Sequence, residues 1–164
     1  MALRDIKPTR SELINVKRRI KLSERGYNIL KMKRDGLILE FFKVLQQAKD
    51  SRGAMLERYT HAMEMIALAE TVEGAIGVKA AAFSTADVPE ISLKSKNIMG
   101  VVVPEIQASS VRKGVLDRGY GMLGTSAVID ETAEAFEDLL EAIIEAAEIE
   151  TTMKRLLDEI ESTK

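Results

Sequence analysis

The chain has 164 residues, of which 30% are charged and only 4% aromatic, with three Pro, no Trp and no Cys. That profile suits long helices rather than a thick globular core, and it excludes disulfides, thiol chemistry and a cysteine-based zinc cluster. The net charge of −2 conceals an asymmetry: residues 1–35 carry eleven Lys/Arg against four Asp/Glu, and residues 130–164 carry three against twelve.

The first predicted element is a long helix over residues 9–73. Pro8 precedes Thr9, and Thr9-Arg10-Ser11-Glu12 is a capping-box pattern. From there an apolar stripe alternates three- and four-residue steps through Leu13, Val16, Ile20, Ser23, Tyr27, Leu30, Arg34, Leu37, Phe41, Val44, Ala48, Ser51 and Met55. Such spacing keeps one face of a helix turned to a partner helix and drives a left-handed supercoil. The stripe shifts by one residue near Tyr59, Met63 and Ile66, and the helix is expected to end between residues 72 and 77. At about 1.5 Å per residue it is roughly 95 Å long, too long for a compact domain to enclose.

Residues 74–124 read as a middle insert. The small residues at 74–87 predict a loop or a short helix. A β-hairpin follows near residues 89–104: an alternating strand over Pro89-Glu90-Ile91-Ser92-Leu93, a turn at Lys94-Ser95-Lys96-Asn97, a β-branched strand from Ile98 to Val103, and Pro104 as its stop. A lone hairpin is marginal in water, so it must lean on the helices or on a partner. Gly114, Gly119, Gly121 and Gly124 interrupt residues 105–124.

The second helix is expected over residues 125–164, with its stripe at Ile129, Thr132, Phe136, Leu139, Ile143, Ala146, Glu150, Met153, Leu157 and Ile160. The predicted fold is therefore mainly all-α, a long antiparallel two-helix coiled coil with a short β-hairpin insert in the middle. In that arrangement Lys164 falls opposite residues 30–33. The stripe at Leu13, Val16, Ile20 and Tyr27 then lacks a partner in the chain, and a truncated second helix is expected. The opposite charges of the two ends favour their pairing.

Motifs for chemistry are weak. Gly119-Tyr120-Gly121-Met122-Leu123-Gly124 fits the dinucleotide fingerprint, but no buried strand precedes it and no βαβ unit surrounds it. Small residues that let helices pack closely or bend are the better reading. The chain has no phosphate-binding loop of the G-x-x-x-x-G-K-[ST] type, and His61 is its only histidine. Catalytic, cofactor-binding and metal-binding residues are therefore expected to be none. The basic run Lys17-Arg18-Arg19-Ile20-Lys21 reads either as a solvated face that pairs with an acidic helix or as a contact toward another protein chain. No run reaches the roughly 18 apolar residues of a membrane span, and residues 1–10 lack a signal core. A cytoplasmic protein without direct membrane insertion is expected.

Pro8-Thr9-Arg10, Lys17-Arg18-Arg19, Arg25-Gly26, Lys33-Arg34-Asp35 and Phe41-Phe42 resemble the N-terminal signature of the D subunit of the archaeal (A-type) and vacuolar-type rotary ATPases. Ile98-Met99, Val103-Pro104-Glu105-Ile106, Leu123-Gly124-Thr125-Ser126-Ala127 and Glu148-Ile149-Glu150 extend the resemblance over nearly the whole chain. It implies a non-catalytic central-stalk rotor shaft that transmits torque between the membrane rotor and the catalytic ring. The implied partners are the F subunit on its side, the ring of catalytic and regulatory subunits at one end and the C subunit at the other, peripheral to the membrane. Lys17, Arg18, Arg19, Lys21 and Arg25 then become candidates for ring contacts. Ile91, Leu93, Ile98 and Val102 become candidates for contacts of the hairpin. A homodimeric coiled-coil scaffold and a nucleic-acid-binding coiled coil are the alternative readings; the second lacks aromatic residues among the basic ones.

Overall fold

A computed structural model describes residues 9–85, 89–109, 111–114, 117–121 and 124–163. Pro8, Met122, Leu123 and Lys164, named above, and residues 86–87 of the small-residue stretch lie outside the described residues.

Among the described residues, four elements follow in chain order: α1 (Arg10–Ser84), β1 (Glu90–Ile98), β2 (Val101–Ser109) and α2 (Ala127–Ser162). The start of α1 matches its sequence signal, since Thr9 is the N-cap and its hydroxyl accepts from the Glu12 N–H at 3.3 Å. The helix continues to Ser84, beyond the expected end, but it breaks at Gly74, where φ is 76° and ψ is 156°. An L side chain rarely adopts that conformation, and glycine adopts it freely. The Glu73 carboxylate just before the break accepts the Ser126 N–H at 2.9 Å. The acid thus lies at the positive N-terminal end of α2, where Ser126 is the N-cap.

The helices pair antiparallel. Toward the break, the Thr132 hydroxyl bonds to the Met65 carbonyl at 3.2 Å. Further along, Arg52 pairs with Glu150 at 2.7 Å, and at the far end Lys33 pairs with Glu159. Two cores result. Ala62, Ala135 and Leu139 form one, flanked by Met55, Met65 and Phe136. Leu37, Val44, Val101, Val103 and Leu156 form the other, in which the hairpin is a third layer on the helix pair.

That third layer corrects the predicted phase of α2. The expected stripe included Ile143, Glu150 and Leu157. Ile143 and Leu157 are exposed instead, whereas Ala142 and Leu156 are buried and Ile149 packs on the core. At this end α2 faces both α1 and β2, so its apolar face widens and turns by one residue, and Glu150 is left at the surface for Arg52. The shift expected in α1 is likewise absent. Ala62 and Ala69 stay in the seam with Met65 beside it, while Tyr59 and Met63 are exposed. Alanine adds little to a hydropathy pattern yet allows the closest approach of two helices.

The hairpin is real but its turn lies elsewhere. Residues 94–97 are strand, and the connection is Met99-Gly100, with Ile98 opposite Val101. Both turn residues have positive φ, 52° and 91°, the signature of a two-residue type I′ turn whose twist matches that of its strands. The Asn97 side chain accepts the Gly100 N–H at 2.8 Å. Pro104 does not stop β2; it lies within it, opposite Ser95. By the alternation outward from the closing pair, its missing N–H would have faced away from β1, so the ladder loses nothing.

Candidate partner-docking surfaces

Three surfaces stand out once the helices are paired. The first is the start of α1. Among the described residues no helix lies opposite 10–32, a stretch roughly 35 Å long at about 1.5 Å per residue. Leu13, Ile20, Tyr27 and Leu30 of the predicted stripe are exposed there, as expected, and Val16 is half-buried. Lys17, Arg18, Arg19, Lys21 and Arg25 are all exposed. At about 100° per residue they divide into two sets. Lys17 and Arg19 flank the apolar stripe, where charges of a coiled coil meet those of its mate. Arg18, Lys21 and Arg25 form a row on the opposite side.

The second surface is the outer face of the hairpin. Ile91, Leu93 and Val102 share one face and are exposed, Leu93 to 70%. Ile98 differs: it lies on the inward face with Val101 and Val103 and packs on the hairpin core. Three of the four hairpin candidates are therefore available to a partner, and Ile98 is structural. β1 is also a free edge, exposed from Glu90 to Asn97, and Lys94 and Lys96 on it discourage pairing with stray strands.

The third surface lies near the break in α1. An apolar groove of about 350 Å³ opens there between α1, the loop after β2 and α2, lined among others by Ile66, Val78, Ala81, Phe136 and Leu140. Beside it, Ile76 and Phe83 are almost fully exposed.

One wall of this groove is a charged clamp that sequence reasoning missed. The Arg118 side chain is 5% exposed and donates to both Glu137 oxygens at 3.2 Å. It also reaches the Asp130 carbonyl at 3.0 Å and the Asp130 carboxylate at 3.3 Å. The Tyr120 hydroxyl donates to Asp130 at 2.8 Å. Burial, and then that hydrogen bond, push the Tyr120 phenol up to about 12. Arg112 extends the clamp with bonds to Glu141 at 3.0 and 3.1 Å and to Asp138 at 2.8 Å. It holds the Glu141 carboxyl below its ordinary range, as Lys33 does for Glu159. Asp130 and Glu137 are one heptad apart on α2, and a basic loop precedes them; that spacing is the signal that could have revealed the clamp.

The Gly119 motif has a structural explanation here. Gly119 has φ +84°, and a Cβ on it would collide with the Ser84 carbonyl at the end of α1. Its absent side chain lets the loop lie against that helix end. His61 is exposed, and among the described residues no three His, Cys, Asp or Glu converge as a metal site. Among the described residues no helix is long and apolar enough to cross a membrane.

Comparison with known proteins gives the family. The family model described as the D subunit of ATP synthase matches residues 12–164. The A-type ATP synthase D subunit of Methanoregula boonei is 77% identical over 164 residues, covering 100% of this chain and 78% of that protein. The protein of the same name from Methanosarcina acetivorans is 59% identical over the same span, again with 78% of its length covered. A third, from Archaeoglobus fulgidus, is 50% identical over 161 residues, covering 98% of this chain and 77% of its own length.

Proposed function

The chain belongs to the family of ATP synthase D subunits, and from that premise we propose that it is the central-stalk rotor shaft of an A-type ATP synthase. In this reading it is a non-catalytic component that carries torque between the membrane rotor and the catalytic ring. The carrying observation is the basic stretch of α1 at residues 10–32, whose exposed side chains form two different faces. Its apolar stripe, flanked by Lys17 and Arg19, takes a coiled-coil mate. Its outward row of Arg18, Lys21 and Arg25 meets the surrounding ring. Such charges steer and orient an interface more than they add affinity. The outer hairpin face at Ile91, Leu93 and Val102 is assigned to the F subunit, and the groove end near Phe83 to the C subunit.

Charge reversal tests the assignment within the assembled complex. Arg18→Glu, Lys21→Glu and Arg25→Glu together are expected to lower coupled ATP synthesis, whereas the chain keeps its fold because these side chains are exposed on that stretch of α1. Undiminished synthesis would remove the ring assignment. The exposed stripe favours one other reading, a homodimeric scaffold. Light scattering after mixing with the purified F subunit separates the two: a one-to-one heterodimer supports the shaft, and a stable homodimer that ignores the F subunit supports the scaffold.

A further inference from the structure

The hairpin is anchored at its tip to α1 and along its stem to α2, and we propose that it is a brace that fixes the axial register of the two helices. At the tip, Met99 lies over Gly36: a Cβ at position 36 would be 2.6 Å from the Met99 Cε. Lys33, one turn away on α1, lies alongside Gly100 and pairs with Glu159 of α2. Just beyond the tip, Val101 and Val103 fill the space among Leu37, Val44 and Leu156. Along the stem, the Ile106 N–H points away from β1 and donates to Glu148 of α2 at 2.9 Å.

The brace adds to a seam whose other buried positions are mostly small and whose polar cross-links, Thr132 to Met65 and Arg52 to Glu150, are single bonds. Away from the hairpin the buried positions of the seam are Ala62 and Ala69 on α1 and Ile129, Thr132, Ala135, Leu139, Ala142 and Ala146 on α2, with Met55, Met65 and Phe136 packed beside them. Alanine knobs are shallow, so these positions oppose a slide of one turn, about 5.4 Å, less than the large side chains under the hairpin do. The largest fully buried side chains, Leu37 and Leu156, both lie under the hairpin. A paired strand does not stretch, since it already rises about 3.3 Å per residue. Sliding by a turn must therefore break the tip contact or the Glu148 contact. The purpose of the brace, a shaft that transmits torque without slipping, rests on the rotor reading; the fixed register is a property of this chain alone.

The chain has no cysteine, so spin labels can be placed singly at K43C on α1 and K154C on α2, both exposed. Pulsed dipolar spectroscopy on the labelled chain is expected to give one narrow distance. Gly36→Val, which expels Met99, and Glu148→Ala, which frees the Ile106 N–H, are expected to add a second population displaced by about one turn, roughly 5 Å. In both, the β2 amides should exchange about tenfold faster. Met99→Ala unseats the tip without adding volume and is expected to behave like Gly36→Val, so a misfolded valine variant leaves the test intact. A single unchanged distance in Met99→Ala and Glu148→Ala would overturn the brace. That result would not touch the rotor reading, which is judged by binding of the F subunit and by ring assembly.

Discussion

Tyr120 shows how one loop side chain reports on the fit of a whole segment. Its phenol is pressed between Arg118 and α2 and donates to Asp130. Ionising it would place a phenolate beside a carboxylate in a partly desolvated site, so its pKa rises from 10.0 to about 12. A group whose folded pKa exceeds its unfolded value stabilises the fold below the unfolded pKa and loses that contribution as pH rises through the folded one. The loop after β2 should therefore loosen between pH 10 and about 12. Ultraviolet titration of the three tyrosines is expected to show a final step near pH 12 that Tyr120→Phe abolishes, and a titration complete by pH 11 would refute the clamp geometry.

At the scale of elements, the two helices and the hairpin were legible from periodicity, capping and β-branched runs, because each signal is local. Phase was not, because it depends on what packs on a helix from elsewhere in the chain. Nothing in residues 127–162 says that β2 will lie on one flank of α2, and that flank decides between Leu156 and Leu157. The difference is measurable. Leu156 is fully buried, and Leu156→Ala is expected to cost about 2–5 kcal/mol in denaturant unfolding, cavity included. Leu157 is exposed, and Leu157→Ala is expected to change stability by less than about 0.5 kcal/mol. Equal losses would restore the uncorrected heptad phase. The candidate surfaces divide in the same way. The basic cluster was legible as residue types, and the helical repeat alone separates Lys17 and Arg19 from Arg18, Lys21 and Arg25. The turning inward of Ile98 was not legible, because it follows from a turn at Met99-Gly100, whereas the polar residues 94–97 carry the stronger turn signal in the sequence. Arg118 escaped notice because its partners lie 12 and 19 residues away on another element.

At the scale of the whole molecule, stability is distributed very unevenly along α1. From Lys33 to Glu73 one side of the helix is covered by α2, by the hairpin or by both, and its amides open only when that packing opens. From Arg10 to Met32 it has only its own hydrogen bonds, a Thr9 cap and an exposed apolar stripe. Most helical stability in proteins comes from tertiary packing, which this stretch lacks, and Gly26 within it costs roughly 1 kcal/mol relative to Ala. Native-state hydrogen exchange should therefore divide one continuous helix into two regimes. Amides of residues 14–30 are expected to exchange through local fraying, with little dependence on denaturant. Amides of residues 37–70 should exchange only with global unfolding and share its denaturant slope. When a mate covers the stripe the first set should slow toward the second, because ordering and burial then occur together. Uniform protection along α1 in the chain alone would mean that this segment is rigid without a mate. The stripe would then no longer argue for one, and the basic row opposite it would remain the only evidence that this end of the molecule is built to enter another assembly.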